Sequence, residues 1–220
     1  MGSNFTNTLF VKHAISLADW RWIEETCCRT GDAGEPIARE REAFFLKLWV
    51  EPYFRYSPDG AFIVERDGTR LGYLTGVWDT GAFEKLKKRS FARKIIGSWI
   101  LKTIQRRKSS SDELRWIRRS LKLEKGPEEC FSTEIKNQIR RDFPAHLHMN
   151  CVTEARGQGL GRALFTAFIQ ELVRRKIPGV HVYCGDHPRA FYERMGMREL
   201  ERIEYRPGVQ VYAYGLKLEG

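Results

Sequence analysis

Seven residues in a row, Arg156-Gly157-Gln158-Gly159-Leu160-Gly161-Arg162, have the types and spacing to hold an anion. They stand where an apolar run, Ala145 to Val152, hands over to a helical pattern that begins Ala163-Leu164-Phe165. A helix start leaves its first backbone N–H groups without intrahelical partners and carries the positive end of the macrodipole, so glycines there let an anion approach bare main chain. One such dipole interaction is worth only ~0.3 to 1 kcal/mol, so affinity requires several N–H groups converging on a group the size of a diphosphate. A dinucleotide loop, G-x-G-x-x-G, would require glycine where Arg162 stands, and a P-loop would require Gly-Lys-Ser/Thr after its second glycine. Neither fits, and what remains is R-x-x-G-x-G, Arg156 to Gly161.

Upstream, strand alternation puts His146, His148 and Asn150 on one face, and histidine is the side chain best suited to take a proton near neutrality. Each ring has a structural alternative as a hydrogen-bonded core group. Cys151 has no basic sequence neighbour to activate it and reads as a buried strand cysteine.

The R-x-x-G-x-G run resembles the coenzyme A loop of the GNAT acetyltransferases, and Phe191-Tyr192-Glu193-Arg194-Met195-Gly196-Met197 resembles that superfamily's F-Y-x-x-x-G-F segment. The two occur in order, separated by a strand pattern at Gly179 to Cys184. Three shorter stretches, Cys28 to Gly34, Gly76 to Phe83 and Phe143 to His148, are similar to the subgroup related to the acetyltransferase-like C-terminal domain of protein O-GlcNAcase. The resemblance implies an α/β fold of mixed, mostly antiparallel sheet flanked by helices, acetyl-coenzyme A as cofactor, and direct attack by an amine in a ternary complex. It implies that main-chain groups of Met149, Asn150 and Cys151 run beside the pantetheine and that Gly157 to Arg162 receive the pyrophosphate. It places Tyr192 on the family tyrosine that protonates the departing thiolate, draws His148 toward the role of base, and puts Asp32, Asp79 and His146 beside the acceptor. Asp32 and Asp79 also suit turn and cap positions. Two departures stand out: Asp186, in the shortened stretch Cys184 to Arg189, takes the place of a coenzyme-contacting asparagine, and Thr153 replaces a proline.

These residues need elements to hold them. Leu9 to Ile15 alternates as a strand, Ser16 can cap a helix to about Cys28, and a second helix spans Ala38 to Trp49. Ala61 to Glu65 and Leu71 to Val77 flank Asp67-Gly68 as a hairpin. Helical periodicity runs from Phe83 to about Ile104, from Asp112 to Leu123 and from Thr133 to Arg141. The strand Ala145 to Val152 and the glycine loop follow, then a helix to Lys176, the strand Gly179 to Cys184, a short helix, and a closing pair, Glu199 to Tyr205 and Val209 to Lys217.

A chain of 220 residues suits one domain. Its net charge of +10 is concentrated: residues 81–143 hold 18 Lys/Arg against 8 Asp/Glu, leaving 20 against 20 elsewhere. We read this segment as a basic helical insertion within the single domain 1–220, a lid packed by Phe91, Ile95 and Trp99 in preference to a nucleic-acid platform or a membrane-surface helix. Five cysteines, odd in number and without paired C-x-x-C spacing, speak against a disulfide framework and against a zinc site, and point to a reducing, cytoplasmic setting. The expected partner is an amine on a small molecule or a protein. The competing reading is a catalytically degenerate module that binds coenzyme or a partner without turnover.

Overall fold

A computed structural model describes residues 9–31, 34–91 and 130–219. The expectations for Asp32 and for the insertion's central part, with Ile95 and Trp99, fall outside those residues. Along the chain run β1 (Leu9–His13), α1 (Leu17–Thr30), α2 (Arg39–Trp49), α3 (Glu51–Tyr56), β2 (Ala61–Arg66), β3 (Thr69–Val77) and α4 (Thr80–Leu86). After the undescribed stretch come α5 (Thr133–Asp142), β4 (Ala145–Cys151), α6 (Leu160–Arg174), β5 (Gly179–Cys184), α7 (Arg189–Arg194), β6 (Arg198–Arg206) and β7 (Val209–Lys217).

The local causes are readable. Ser16 Oγ accepts from the Asp19 N–H at 3.0 Å while Asp19 Oδ2 accepts from the Ser16 N–H at 3.1 Å, a reciprocal cap that satisfies two N–H groups at the start of α1. The second helix stops at Trp49 because Pro52, two residues into α3, cannot continue it and Val50 adopts φ −123°, ψ −52°. Asp67 (φ 49°) and Gly68 (φ 77°) turn the β2–β3 hairpin through two left-handed residues. Beyond α4 a π-turn carries the chain over residues 87–91, where regular helix had been expected from Phe83 onward.

Seven strands form one sheet in the order β1-β2-β3-β4-β5-β7-β6, antiparallel except where β4 meets β5. On one face Leu164, Phe168 and Leu172 of α6 are fully buried against Val64, Leu74, Leu147 and Val180. Each such side chain contributes ~1.5 to 3 kcal/mol of hydrophobic stabilisation. On the other face Trp20, Ile23 and Cys27 of α1, Tyr53 of α3 and Phe83 of α4 close over Ile63, Tyr73 and Val77, while Ile139 of α5 covers Val211 and Ala213 farther along. The sheet is therefore covered on both faces, and the opening that matters lies within its plane.

Candidate active site

That opening comes from the one parallel contact. β4 and β5 pair only through Ala145–Val180 and His146–His181, although they run on to Cys151 and Cys184. Beyond Leu147 the strands part. The N–H of Val152 donates to the Leu71 carbonyl on β3 at 2.9 Å, and the β3–β4 register makes every second residue back along β4 face β3 in the same way. The intervening residues, Leu147, Met149 and Cys151, therefore turn their main-chain donors and acceptors into the gap between β4 and β5. A backbone left without a strand partner in a partly covered place needs another one, and an extended chain carrying amides can supply it.

The glycine loop closes the wide end of this gap. Gly157 (φ 77°) and Gly159 (φ 82°) are both left-handed, and a Cβ on either would meet nothing within 4 Å. Those two observations describe a cradle: the conformation excludes side chains while the space beside it is open. Gly159 is the N-cap of α6 without a side-chain cap, and the first bond of the helix is Ala163 N–H to Gly159 O at 3.0 Å, so the N–H groups of Leu160, Gly161 and Arg162 are left for an anion. Gln158 is held from outside by Arg66, and its Nε2 donates to the Glu154 carbonyl at 3.3 Å. The Arg156 guanidinium lies against Gly34. Leu160 sends its side chain into the core, and Gly161 lets the Phe191 ring approach, a Cβ there standing 3.2 Å from it. The donor set is main chain plus arginine, with no carboxylate among the described residues hydrogen-bonded to a loop N–H, and it fits a diphosphate.

Tyr192, on α7, lies beside Cys184 at the end of β5 and packs in the same cluster as Met149 and Cys151 from β4. It is 8% exposed, and its hydroxyl has no hydrogen-bond partner among the described residues. Burial pushes its pKa up, so the hydroxyl keeps its proton throughout the neutral range. α7 is fixed by Arg189, whose guanidinium lies 4.2 Å from the centre of the Tyr212 ring and reaches the hydroxyls of Tyr212 (3.2 Å) and Tyr214 (3.3 Å). Tyr214 in turn donates to Glu193 at 2.7 Å, and Asp186 accepts from Tyr212 at 2.8 Å. Asp186 is thus tied to β7.

The histidines occupy the opposite face. Tyr53 Oη lies 3.0 Å from His146 Nε2, and Thr80 Oγ1 lies 2.8 Å from His146 Nδ1. Thr80 donates its own hydrogen to the Pro144 carbonyl at 2.7 Å, so it accepts from Nδ1–H, and Nε2 accepts from Tyr53. Both ring nitrogens of His146 are taken. Its pKa is lowered by burial and by the neighbouring His181. His148, half-buried, lies between Trp49 (ring centres 5.7 Å apart) and Tyr73 (6.3 Å), and its Nε2 is 3.3 Å from Asn150 Nδ2. Burial takes its pKa down to about 4, so the ring is neutral at physiological pH. Asp79 is exposed and caps α4, accepting from the Ala82 N–H at 2.9 Å. Burial raises the Cys151 thiol to about 11, which keeps it from acting as a thiolate.

The structure thus groups Met149, Cys151, the loop Arg156 to Arg162 and Tyr192 around the parted strands, and sets His146, His148 and the Asn150 side chain on the other face. Sequence reasoning missed Tyr53, Thr80, Tyr73 and Trp49, which surround the histidines, and Arg189, which anchors α7. Tyr73 and Thr75 alternate in phase with His148 only once the β3–β4 register is known.

A seven-stranded sheet with its fourth and fifth strands parted over a glycine loop is a specific architecture, and residues 132–218 match the acetyltransferase (GNAT) domain. Among solved structures the chain is similar to SsHAT, with a TM-score of 0.72 and 25% identity over 96% of this chain and 98% of that one. It is similar in fold to yncA from Salmonella typhimurium, solved with its cofactor acetyl-CoA (TM-score 0.53, 13% identity, 97% and 95% covered). Agmatine N-acetyltransferase shares the fold as well (TM-score 0.57, 14% identity, 96% and 99% covered). GNAT acetyltransferases are acyltransferases that use acetyl-CoA. The GNAT match covers β4 through β7, the part that holds the parted strands, the loop and Tyr192.

Proposed function

We propose that the chain is an acetyl-CoA dependent N-acetyltransferase that transfers the acetyl group directly to an amine, and that it belongs with the relatives of the O-GlcNAcase acetyltransferase-like domain. The observation that carries the activity is the parting of β4 from β5 after two residue pairs, with the open glycine cradle at its end and an unpartnered tyrosine hydroxyl beside it. When bound, acetyl-CoA supplies a thioester whose carbonyl carbon an unprotonated amine attacks as the thiolate departs.

The residues divide that work. The N–H groups of Gly157 to Arg162, with Arg156 and Arg162, hold the diphosphate; the main chain of Met149 and Cys151 holds the extended arm in the gap and fixes the acetyl group for attack, whereas Asn150, expected beside them, has its main chain paired with Tyr73 of β3 and takes no part. Tyr192, protonated and without another acceptor, donates its hydrogen to the sulfur as the carbon–sulfur bond breaks. His148, neutral above about pH 4, takes the proton that the amine sheds. His146, with both nitrogens engaged by Tyr53 and Thr80, supports β4 from the same face. Asp79 and Asp32 are the candidates to hold the acceptor amine.

Thermal unfolding with and without acetyl-CoA tests this reading. At 100 times its dissociation constant the cofactor adds ~2.7 kcal/mol of stability by mass action, and NAD adds none. Gly159→Val removes the shift, because a branched side chain cannot hold a φ of 82° and would fill the cradle. A shift with NAD and none with acetyl-CoA refutes the assignment. A shift without acetyl transfer to any amine in a panel of small amines and lysine peptides favours the non-catalytic module instead.

A further inference from the structure

A chain of polar groups on the histidine face is left without a role by the reading above. Cys27 of α1 is fully buried in the same core cluster as Tyr73 of β3, which makes its sulfur the neighbouring acceptor for the Tyr73 hydroxyl. Asn150 Nδ2 lies 3.2 Å from that hydroxyl and 3.3 Å from His148 Nε2. Directions follow from chemistry. An amide nitrogen only donates, so Tyr73 Oη and His148 Nε2 both accept; the Tyr73 hydrogen then points to Cys27, and the ring proton sits on Nδ1. One other arrangement is self-consistent. Turning the carboxamide over lets Oδ1 accept from Tyr73 and from Nε2–H together, frees Cys27, and leaves Nδ1 bare.

Four residues on three elements therefore share two settings, and the tautomer of His148 reports which is occupied. We propose that Asn150 is a positioning residue which, set by Tyr73 and Cys27, selects the tautomer of His148 and so decides whether the ring offers a bare Nδ1 to an acceptor amine. The consequence for catalysis rests on the acetyltransferase reading; the tautomer selection does not. In the resting setting Nε2 is capped by an N–H and Nδ1 carries the proton, so His148 accepts a proton only after the amide turns. Around the ring stand Trp49 from α2, with Lys87 of the α4 π-turn lying 5.9 Å from its centre, Tyr73 and Thr75 on β3, and His146 on its own strand. None of these is a carboxylate that could replace Asn150 in holding an imidazolium. Burial keeps the ring neutral down to about pH 4, so across the working range the tautomer, and not the charge, is the variable.

Long-range proton–nitrogen NMR of His148 in the full chain at pH 7 reads the tautomer whether or not the protein turns over. Wild type should carry the proton on Nδ1. Cys27→Ala, which removes the acceptor of the Tyr73 hydrogen, should turn that hydrogen to Asn150 and move the ring proton to Nε2. Asn150→Asp, which can only accept, should do the same and shift the acidic limb of the kcat profile upward by about one pH unit or more, since a carboxylate stabilises the imidazolium. Asn150→Leu, which neither donates nor accepts, should give mixed tautomers with KM for acetyl-CoA little changed. A wild-type ring protonated on Nε2, or one tautomer in wild type, Cys27→Ala and Asn150→Asp alike, overturns the proposal. Should Cys27→Ala fail to fold, the wild type and Asn150→Asp pair decides by the same criterion. A tautomer that moves as described in a protein that acetylates nothing upholds the positioning and removes the catalytic reading alone.

Discussion

The two faces of the sheet are built on different principles. Under α6 the contacts are almost wholly apolar, Leu164, Phe165, Phe168 and Leu172 on Leu74, Leu147, Val180 and Val182, and the polar work at that side is done by main chain in the gap and the loop. Under α1 to α4 the sheet buries imidazoles, phenols and hydroxyls, His146, His148, His181, Tyr53, Tyr73 and Thr75, each needing a partner in a place where water is scarce. A face that recognises with backbone tolerates side-chain change so long as the strands stay parted. A face that works through side chains depends on which hydrogen sits on which atom. On the proposed reading, cofactor binding belongs to the first kind and acceptance of the amine proton to the second.

The largest effect expected separates the two by their response to acid. Phe168 is fully buried, with its ring 5.4 Å from Trp78 and 6.2 Å from Phe62. Phe168→Ala should cost ~3 to 5 kcal/mol in urea unfolding, by the same amount at pH 7 and pH 5, because no titrating group loses a partner. The histidine face should respond to pH and not to that substitution. Burial lowers His181 and His148 to about 4 and lowers His146 as well, while all three titrate near 6.5 when unfolded. Below pH 6.5 the unfolded chain therefore binds more protons than the folded one, and stability falls as pH drops from about 6.5 toward 4; above that window these groups contribute no slope. For a group as buried as His181, 1% exposed with Nδ1 2.6 Å from the Phe143 carbonyl, the slope reaches ~1.4 kcal/mol per pH unit. His181→Gln should remove that share of the slope whatever it does to stability at pH 7. An unchanged slope would mean that His181 is charged in the folded protein.

Next in size is the chemistry at the edge of the apolar face. Tyr192→Phe leaves the ring packed against Phe191 and Tyr214 and removes one hydroxyl. Acetyl transfer should fall by ~100-fold, about 2.7 kcal/mol of transition-state stabilisation, with the acetyl-CoA thermal shift retained. Equal loss of binding and turnover would make Tyr192 a packing residue.

How far the sequence carries differs between the faces for the same reason. The glycine-loop side is local: Arg156 to Arg162 and the helix they start lie within one stretch, the left-handed positions fall on Gly157 and Gly159, and β4 shortly precedes them. The strands Gly179–Cys184 and Val209–Lys217 were legible to the residue because period-two patterns end in turn residues. The histidine side is assembled across the chain, Tyr53 to His146 over 93 positions and Tyr73 to Asn150 over 77, and only the strand register brings those residues opposite one another. A histidine on an alternating strand announces its face and not its partners. The end of α2 at Trp49 was legible, but α3 escaped for another reason: a six-residue helix has too few turns to show a period.

The smallest effect bears on whether the acceptor side relies on charge. Asp79 accepts from the Ala82 N–H at 2.9 Å and caps α4, whose residues Thr80 and Phe83 help to wall in His146. Capping asks only for an oxygen, whereas holding a cationic amine asks for the negative charge, so two substitutions part the roles. Asp79→Ala removes both and should cost ~1 kcal/mol of stability, read in urea unfolding. Asp79→Ser keeps an oxygen for the Ala82 N–H and loses the charge, so stability should return nearly to wild type. If the carboxylate also holds the acceptor, the Ser variant should still show a raised KM for the amine at an unchanged KM for acetyl-CoA, with a difference that shrinks as salt is added. An amine KM that is wild type in Asp79→Ser confines Asp79 to capping, and leaves the histidine face to select its acceptor through the rings of Trp49 and Tyr73 and the hydrogen bonds of His148.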